Sequence, residues 1–393
     1  MSPLVRQFRD FFVSLKLTVV LLALSIVLIF WATLAQVHLG IWGVQEQFFR
    51  TFFVLAKIPG TDVPMPVFPG GYFIGGLLLI NLIAAHVYRF KLEWRKAGIQ
   101  LTHSGLILLL LGELISGLLQ VESQMRIEEG HTSHYSEASR VNELVVMDTT
   151  NPDYNEVVAI PEAVLKDGGV IQHPKLPFQL RIRDYYPNAI VQMRDQPAPS
   201  GVAGVPNAAP ALATAGVGPR VAVIPVPVSY KEDDRNAPTS NIELVGPEGS
   251  LGTWLVSPMF GMPQKFDYQG HTWEIALRFK RYYHPFAITL LDFTHDIYPG
   301  TDIPKNFSSR IRLKTDDGHD DREVLIYMNN PLRHAGLTFY QASFEQGDKV
   351  SILQVVRNPG WVLPYVACVM MAAGLVLQFG LHLFGFIRKR SAS

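Results

Sequence analysis

The chain is short of cysteine and short of charge, and it has no net charge of either sign. Cys368 is the one cysteine among 393 residues. That excludes an internal disulfide, a CxxC redox pair, a Cys-rich zinc site and a c-type haem attachment motif. Charged residues make up 17%, where about a quarter is usual for a soluble protein. A formal net charge of zero argues against a nucleic-acid partner. There is no G-x-S-x-G, no HExxH, no P-loop and no GxGxxG at a strand–helix junction. A hydrolase or a nucleotide-driven pump therefore has no motif behind it, and no catalytic residue is assigned. No internal repeat is present.

What the chain has in quantity is apolar sequence. Hydrophobic residues are 48% and the mean hydropathy is +0.16. Four long apolar runs stand out: Leu15–Gln36, Tyr72–Tyr88, Ile99–Leu119 and Trp361–Ile387. Each approaches the roughly 20 residues that cross a hydrocarbon core. The first is too long for a cleavable signal peptide and lacks a small-residue cleavage site. Basic residues mark one end of every run. Arg6, Arg9 and Lys16 precede the first; Arg89, Lys91, Arg95 and Lys96 separate the second from the third; Arg388, Lys389 and Arg390 follow the fourth. Placed on one side by the positive-inside rule, the three clusters predict cytoplasmic termini and an outer block at 120–360. The zero net charge conceals this split. Residues 121–358 carry 22 Lys and Arg against 29 Asp and Glu, and the rest of the chain carries 12 against 5.

The expected fold is a membrane protein with four transmembrane helices, three before and one after a large external antiparallel β-sandwich-like domain. Its divisions are 1–119, 120–360 and 361–393. In the outer block Phe178–Tyr186, Thr272–Phe279, Ala287–Phe293, Arg310–Lys314 and Val350–Val356 alternate as strands do. Gln196–Val228 is rich in Pro, Ala, Gly and Val, with Arg220 its one charge, and reads as a flexible insertion. Glu232–Arg235 and Asp316–Arg322 read as solvated hairpin tips. Val44–Lys57, with Phe48, Phe49, Phe52 and Phe53, reads as an amphipathic stretch suited to a membrane surface or a partner helix.

Three of the twelve histidines, His86, His103 and His382, lie inside apolar runs. Ionisable groups there are costly and tend to face a partner, a cavity or a ligand. At about 1.5 Å per residue all three sit within about 10 Å of the basic clusters. Imidazole at such a depth serves as an axial haem ligand, as a proton relay, or as an interhelical hydrogen-bonding group. Close helix packing at about 8–10 Å leaves little room for a porphyrin between His86 and His103, so a haem would need splayed helices or a histidine from another subunit. Glu113, ten residues beyond His103, is expected to be protonated or hydrogen-bonded to a neighbouring helix, with a role beside the histidines the weaker reading. Gly105, Gly112, Ser116 and Gly117 read as a small-residue packing face. Outside the runs, His131, His134, His284, His295 and His334 read as ordinary surface or core residues, and His131-x-x-His134 lacks a third metal ligand.

Five ordered segments resemble the ResB (CcsB) family of cytochrome c biogenesis proteins. They are Ser14-Leu-Lys-Leu-Thr-Val-Val-Leu-Leu, Asn81-Leu-Ile-Ala-Ala-His86, the run from Gly98 through His103 to Glu113-Leu, the run from Asn329 through Tyr340 to Phe344, and Asn358-Pro-Gly-Trp361. The resemblance implies an accessory, non-enzymatic subunit of the System II machinery in the bacterial cytoplasmic membrane. Such a subunit, with its large domain periplasmic, helps a CcsA (ResC)-type membrane partner to carry haem b across the membrane for attachment to apocytochrome c outside. It also implies a haem-ligating intramembrane histidine, which His86 matches best and His103 next. Two readings of other classes stay open: an intramembrane b-type electron carrier, and a scaffold in which the histidines only pack.

Overall fold

A computed structural model describes residues 3–58, 60–61, 63–89, 93–195, 212–231, 234–300, 304–345 and 349–391. Along the chain come α1 (Pro3–Phe12), α2 (Leu15–Val44), the hairpin β1 (Phe53–Lys57) and β2 (Pro64–Pro69), α3 (Gly71–Arg89) and α4 (Ala97–Leu119). Then follow β3 (Val121–Glu128), β4 (Thr132–Asp148), β5 (Glu156–Pro161), the short α5 (Glu162–Asp167), β6 (Gly169–Ile171), β7 (Gln179–Tyr186), β8 (Ala189–Met193) and β9 (Val221–Pro225). Next are β10 (Thr239–Gly246), β11 (Gly249–Val256), β12 (Gln264–Tyr268), β13 (His271–Ile297), β14 (Pro304–Thr315) and β15 (Asp321–Tyr327). The chain closes with β16 (Leu332–His334), β17 (Leu337–Glu345), β18 (Val350–Arg357) and α6 (Leu363–Arg390). Residues 1–121, 230–232 and 357–393 form one unit, and 122–229 with 233–356 the other.

The helical unit carries four helices long and apolar enough to cross a membrane. The first runs on past the predicted Gln36 to Val44, broken by Gly40 at φ 73°. Only glycine takes that backbone region freely, and a Cβ there would also meet the Tyr230 carbonyl oxygen at 2.5 Å. Beyond the break the expected amphipathic stretch does not form. A π-helical turn, Gln45–Phe49, folds Phe48 under Trp31 with ring centroids 5.2 Å apart, and Phe53 opens a strand instead. Phe48 and Val54 are buried with Leu21, Leu28, Ala32 and Ile74, while Phe52 and Phe53 stay exposed, so the run is divided between core and surface rather than forming one surface-lying helix.

α4 and α6 pack along a line of small residues. A Cβ on Gly98 would lie 2.6 Å from Gln378, one on Gly105 2.7 Å from Met371, and one on Gly112 2.9 Å from Leu363. Their spacing of seven keeps them on one helix face, where the missing side chains let backbones approach. Ser116 continues the line by accepting from Asn358 Nδ2 at 2.9 Å. Gly117 does not belong to it. Nothing lies within 4 Å of where its Cβ would be, because one residue on from Ser116 is about 100° around the helix.

The β unit has two layers over part of its area. The sheet β11-β10-β7-β6 covers one half of a ten-stranded sheet ordered β15-β14-β13-β4-β3-β18-β17-β16, with β12 on β13 and β5 on β4. Leu144, Val146, Ile275 and Leu277 of the large sheet meet Leu180, Ile242, Leu244 and Val256 of the small one. The other half of the large sheet curls and closes a second core around Phe286, Ile288, Ile311, Phe339 and Leu353. Thr272–Phe279 and Ala287–Phe293, expected as two strands, are parts of the single strand β13. Register shifts between Phe279 and Arg281 and between Tyr283 and Ile288 absorb His284-Pro285 without ending it. Proline is tolerated where the ladder is interrupted.

Of the expected flexible insertion, residues 196–211 lie outside the described residues, as do Lys91, Glu232 and Asp233. Its second half is not flexible. Val221–Ile224 are buried, pair as β9 with β8, and share a core with Ala189, Ala213 and Leu255. The β-branched run Val-Ala-Val-Ile outweighs the Pro/Ala/Gly composition around it.

Candidate functional site

The site begins at a break between α1 and α2. Ser14 is extended (φ −74°, ψ 128°), and its Oγ accepts from the Lys16 backbone N–H at 3.2 Å. This is the ordinary way to end one helix and start the next. The break leaves the Phe12 carbonyl without a helical partner, and Asn81 of α3 takes it up together with the Ser14 carbonyl, which also accepts from the Thr18 backbone N–H. Asn81 Nδ2 donates to Phe12 O at 2.6 Å and to Ser14 O at 3.2 Å, and its Oδ1 accepts from Thr18 Oγ1 at 2.6 Å. Asn81 is 2% exposed, so each of these bonds replaces one that water cannot supply.

Beside this clamp lies a cavity of about 370 Å³. Val13, Leu15 and Thr18 wall it from the α1–α2 break, Asn81, Leu82, Ala85 and His86 from α3, and Lys96, Ile99, Gln100 and His103 from the start of α4. The residues on α4 follow at i, i+3, i+4 and i+7, one face of a helix. Most of the lining is apolar, and Lys96, ion-paired to Glu93 at 3.0 Å, contributes the one cationic side chain among the lining residues.

The structure brings two of the three predicted histidines together here. His86 Nε2 is 3.3 Å from Ser104 Oγ, which ties α3 to α4. His103 donates from Nδ1 to the Ile99 carbonyl at 2.7 Å. A carbonyl can only accept, so this contact puts the ring proton on Nδ1 and leaves the Nε2 lone pair directed outward. Metal-ligating histidines are commonly held in this way. His382 is elsewhere. It lies exposed on α6, with Nε2 3.5 Å from Gln378 Nε2, and does not line the cavity. Glu113 is not bonded to a neighbouring helix as expected. It is exposed on α4 and has no hydrogen-bond or ion-pair partner among the described residues.

A haem-type ligand is compatible with this donor set. Imidazole nitrogen is a normal axial ligand, the walls are apolar, and Lys96 at the rim suits a carboxylate. The cavity lies beside the contact of α3 with α4 at Ser104. The clamp Asn81, the tie Ser104 and the rim residue Lys96 were not picked out by sequence reasoning. A lone Asn in the apolar run Leu77–Ala85 was the available signal for the first.

In the β unit, no three His, Cys, Asp or Glu side chains among the described residues cluster as metal ligands. His131 Nδ1 donates to the Glu129 carbonyl at 3.3 Å, while His134 packs on Tyr135 and Tyr283. His284 stacks on Phe286 at 5.1 Å and contacts Ser136 Oγ at 3.0 Å. Burial, with His134 adding to it, holds the His284 imidazole below its ordinary pKa. Glu162 at the head of α5 takes bonds from Tyr185 Oη at 2.6 Å and the Asn142 backbone N–H at 2.9 Å. Burial would raise its pKa, but these bonds outweigh it and the pKa falls. The Tyr185 hydroxyl is pushed up by burial and by the same carboxylate. These are structural bonds between packed elements.

Comparison with known proteins bears on one of the segments quoted above, Asn329–Phe344. Residues 269–352, from the start of β13 to within β18, match the ResB-like family. Over 92 residues, 23% of this chain, the sequence is 30% identical to Protein NrfI of Wolinella succinogenes. The matched stretch spans about a tenth of the length of that relative. Over these residues the chain is similar to ResB-like proteins.

Proposed function

We propose that this chain is a subunit of a cytochrome c biogenesis complex and takes haem from the cytoplasmic face of a bacterial membrane. In this reading the four apolar helices span the membrane, the basic clusters and both termini are cytoplasmic, and the acidic β unit lies outside. The observation that carries the reading is that His86 and His103 share one apolar cavity at the basic end of the spans, in a chain similar over part of its length to ResB-like proteins. Haem is the cargo. His103, with Nδ1 already bonded to Ile99, offers Nε2 to iron. His86 is its neighbour on the opposite wall, and Lys96 meets a propionate. Bound there, the iron would supply coordination only, and the transfer step falls to a CcsA (ResC)-type partner that also receives apocytochrome c. No covalent step is assigned to this chain, whose single thiol, Cys368, is on α6.

The test is absorption spectroscopy of the chain co-purified with its membrane partner. A haem Soret band is expected in the wild type, weakened or shifted in His103→Ala and His86→Ala and unchanged in His382→Ala. Absence of haem, or equal spectra in all four proteins, would overturn the assignment. A reversible redox couple held by the chain alone would point instead to a b-type electron carrier.

A further inference from the structure

α4 carries two lines of residues with the alternating spacing of three and four that suits a packed helix partner. One line, through Gly98, Thr102, Gly105 and Gly112, is covered by α6. The other runs His103, Leu106, Leu110, Glu113 and Gly117, rotated by about 100° from the first. Beyond His103, which faces the cavity, the described residues leave most of it open. Leu106 is 38% exposed, His103, Glu113 and Gly117 are exposed, and the space above Gly117 is open. A carboxyl group on a membrane-facing helix surface is costly and calls for a donor. Glu113 has none among the described residues, and it lies about 15 Å along the axis from His103, well away from the basic ends.

We propose that this second line receives a membrane helix of another polypeptide, one that presents a lysine or arginine to Glu113. Gly117 lets that helix come close, as Gly98 and Gly105 do for α6. A second copy of this chain is the poorer occupant. The lysines and arginines of its spanning helices, Lys16, Arg89 and Arg388 to Arg390, all lie at the basic ends. His38, on the exposed surface of α2, lies about 7 Å farther along the spans than Glu113, counting from Lys16 and Lys96 at 1.5 Å per residue. The inference rests on the spans crossing a membrane and not on haem, so a failure here leaves the haem assignment standing.

The test reconstitutes the full chain, labelled at its C-terminus, in phosphatidylcholine vesicles. Two synthetic Leu/Ala transmembrane peptides serve as probes, one with a single arginine at the depth of Glu113 and one with leucine there. Energy transfer is expected to show the arginine peptide binding about three- to thirtyfold more tightly, the range of one interhelical polar contact. The preference should vanish in Glu113→Leu, survive in part in Glu113→Gln, and weaken in Gly117→Ile, which keeps the carboxyl but blocks approach. Equal binding of the two peptides, or a preference that persists in Glu113→Leu, would overturn the proposal. So would transfer between two copies of the chain that is lost in both Glu113→Leu and His38→Ala.

Discussion

Replacing Gly98 by alanine asks whether the α4–α6 contact is as close as the structure has it. The added Cβ would fall 2.6 Å from Gln378 Cβ, from Gln378 N and from the Gly374 carbonyl oxygen. Carbon contacts are comfortable at about 3.5–4.0 Å, so the helices must part by about 1 Å at this point. Two of the three atoms met are backbone and cannot rotate aside. Overpacking of this kind costs about 1–3 kcal/mol, and a backbone wall puts Gly98 toward the top of that range. Alanine also favours a helix over glycine by about 0.8–1.0 kcal/mol, which would mask part of the loss. Gly117→Ala supplies the control, because it carries the same helix gain and meets open space. The difference between the two variants isolates packing, about 1–3 kcal/mol, or roughly five- to 150-fold in the unfolding equilibrium. Gly105→Ala meets the flexible Met371 Cγ at 2.7 Å before the Ala367 carbonyl oxygen at 2.9 Å, and Gly112→Ala meets only Leu363 side-chain carbon at 2.9 Å. The expected order of loss is therefore Gly98, Gly105, Gly112, Gly117. Helicity of the full chain followed through denaturant titration in mixed micelles reads it out. Equal midpoints for Gly98→Ala and Gly117→Ala would refute the glycine line as the reason these helices touch.

Asn81→Leu removes the two N–H bonds to Phe12 O and Ser14 O and leaves Thr18 without its acceptor. The full chain should lose about 1–3 kcal/mol for each buried group left unpaired. Thr18→Val, which removes one bond, should lose less, and both are read from thermal unfolding in micelles. The β unit should weaken in mild acid through His284. Its pKa is lowered in the fold, mainly by burial and then by His134, so below its ordinary value, about 6.5, the unfolded chain binds more protons and stability falls as pH falls. His284→Gln should flatten that dependence between pH 8 and pH 5 in near-ultraviolet circular dichroism of denaturant-induced unfolding. A slope unchanged by the substitution would show that other groups govern it.

How much was legible in the sequence follows from what each residue answers to. The spans and the strand ladder answer to local composition, and the apolar runs end within a few residues of helices α3, α4 and α6. Features fixed by a distant neighbour were misread. Gly117 counts as a small residue beside Gly112 and Ser116, but only the position of α6 says which side of the helix is filled. Val221–Ile224 lie in a composition that reads as loose, and it is β8 that orders them. His284-Pro285 reads as a stop, and two register shifts carry the strand past it.

The polar residues of the spans show the same division more sharply, and it bears on function. Composition marks Asn81, His86, His103 and Glu113 alike, as costly groups in apolar sequence. The fold separates them by who pays that cost. Asn81 spends all its bonding on the α1–α2 break, so its presence needs no ligand to explain it. His86 meets Ser104 Oγ and His103 the Ile99 carbonyl, and both line the same cavity. Glu113 has no partner among the described residues. The proposed haem and the proposed partner helix are therefore separable requirements: His86 and His103 line the cavity near one end of α4, and Glu113 stands exposed toward the other.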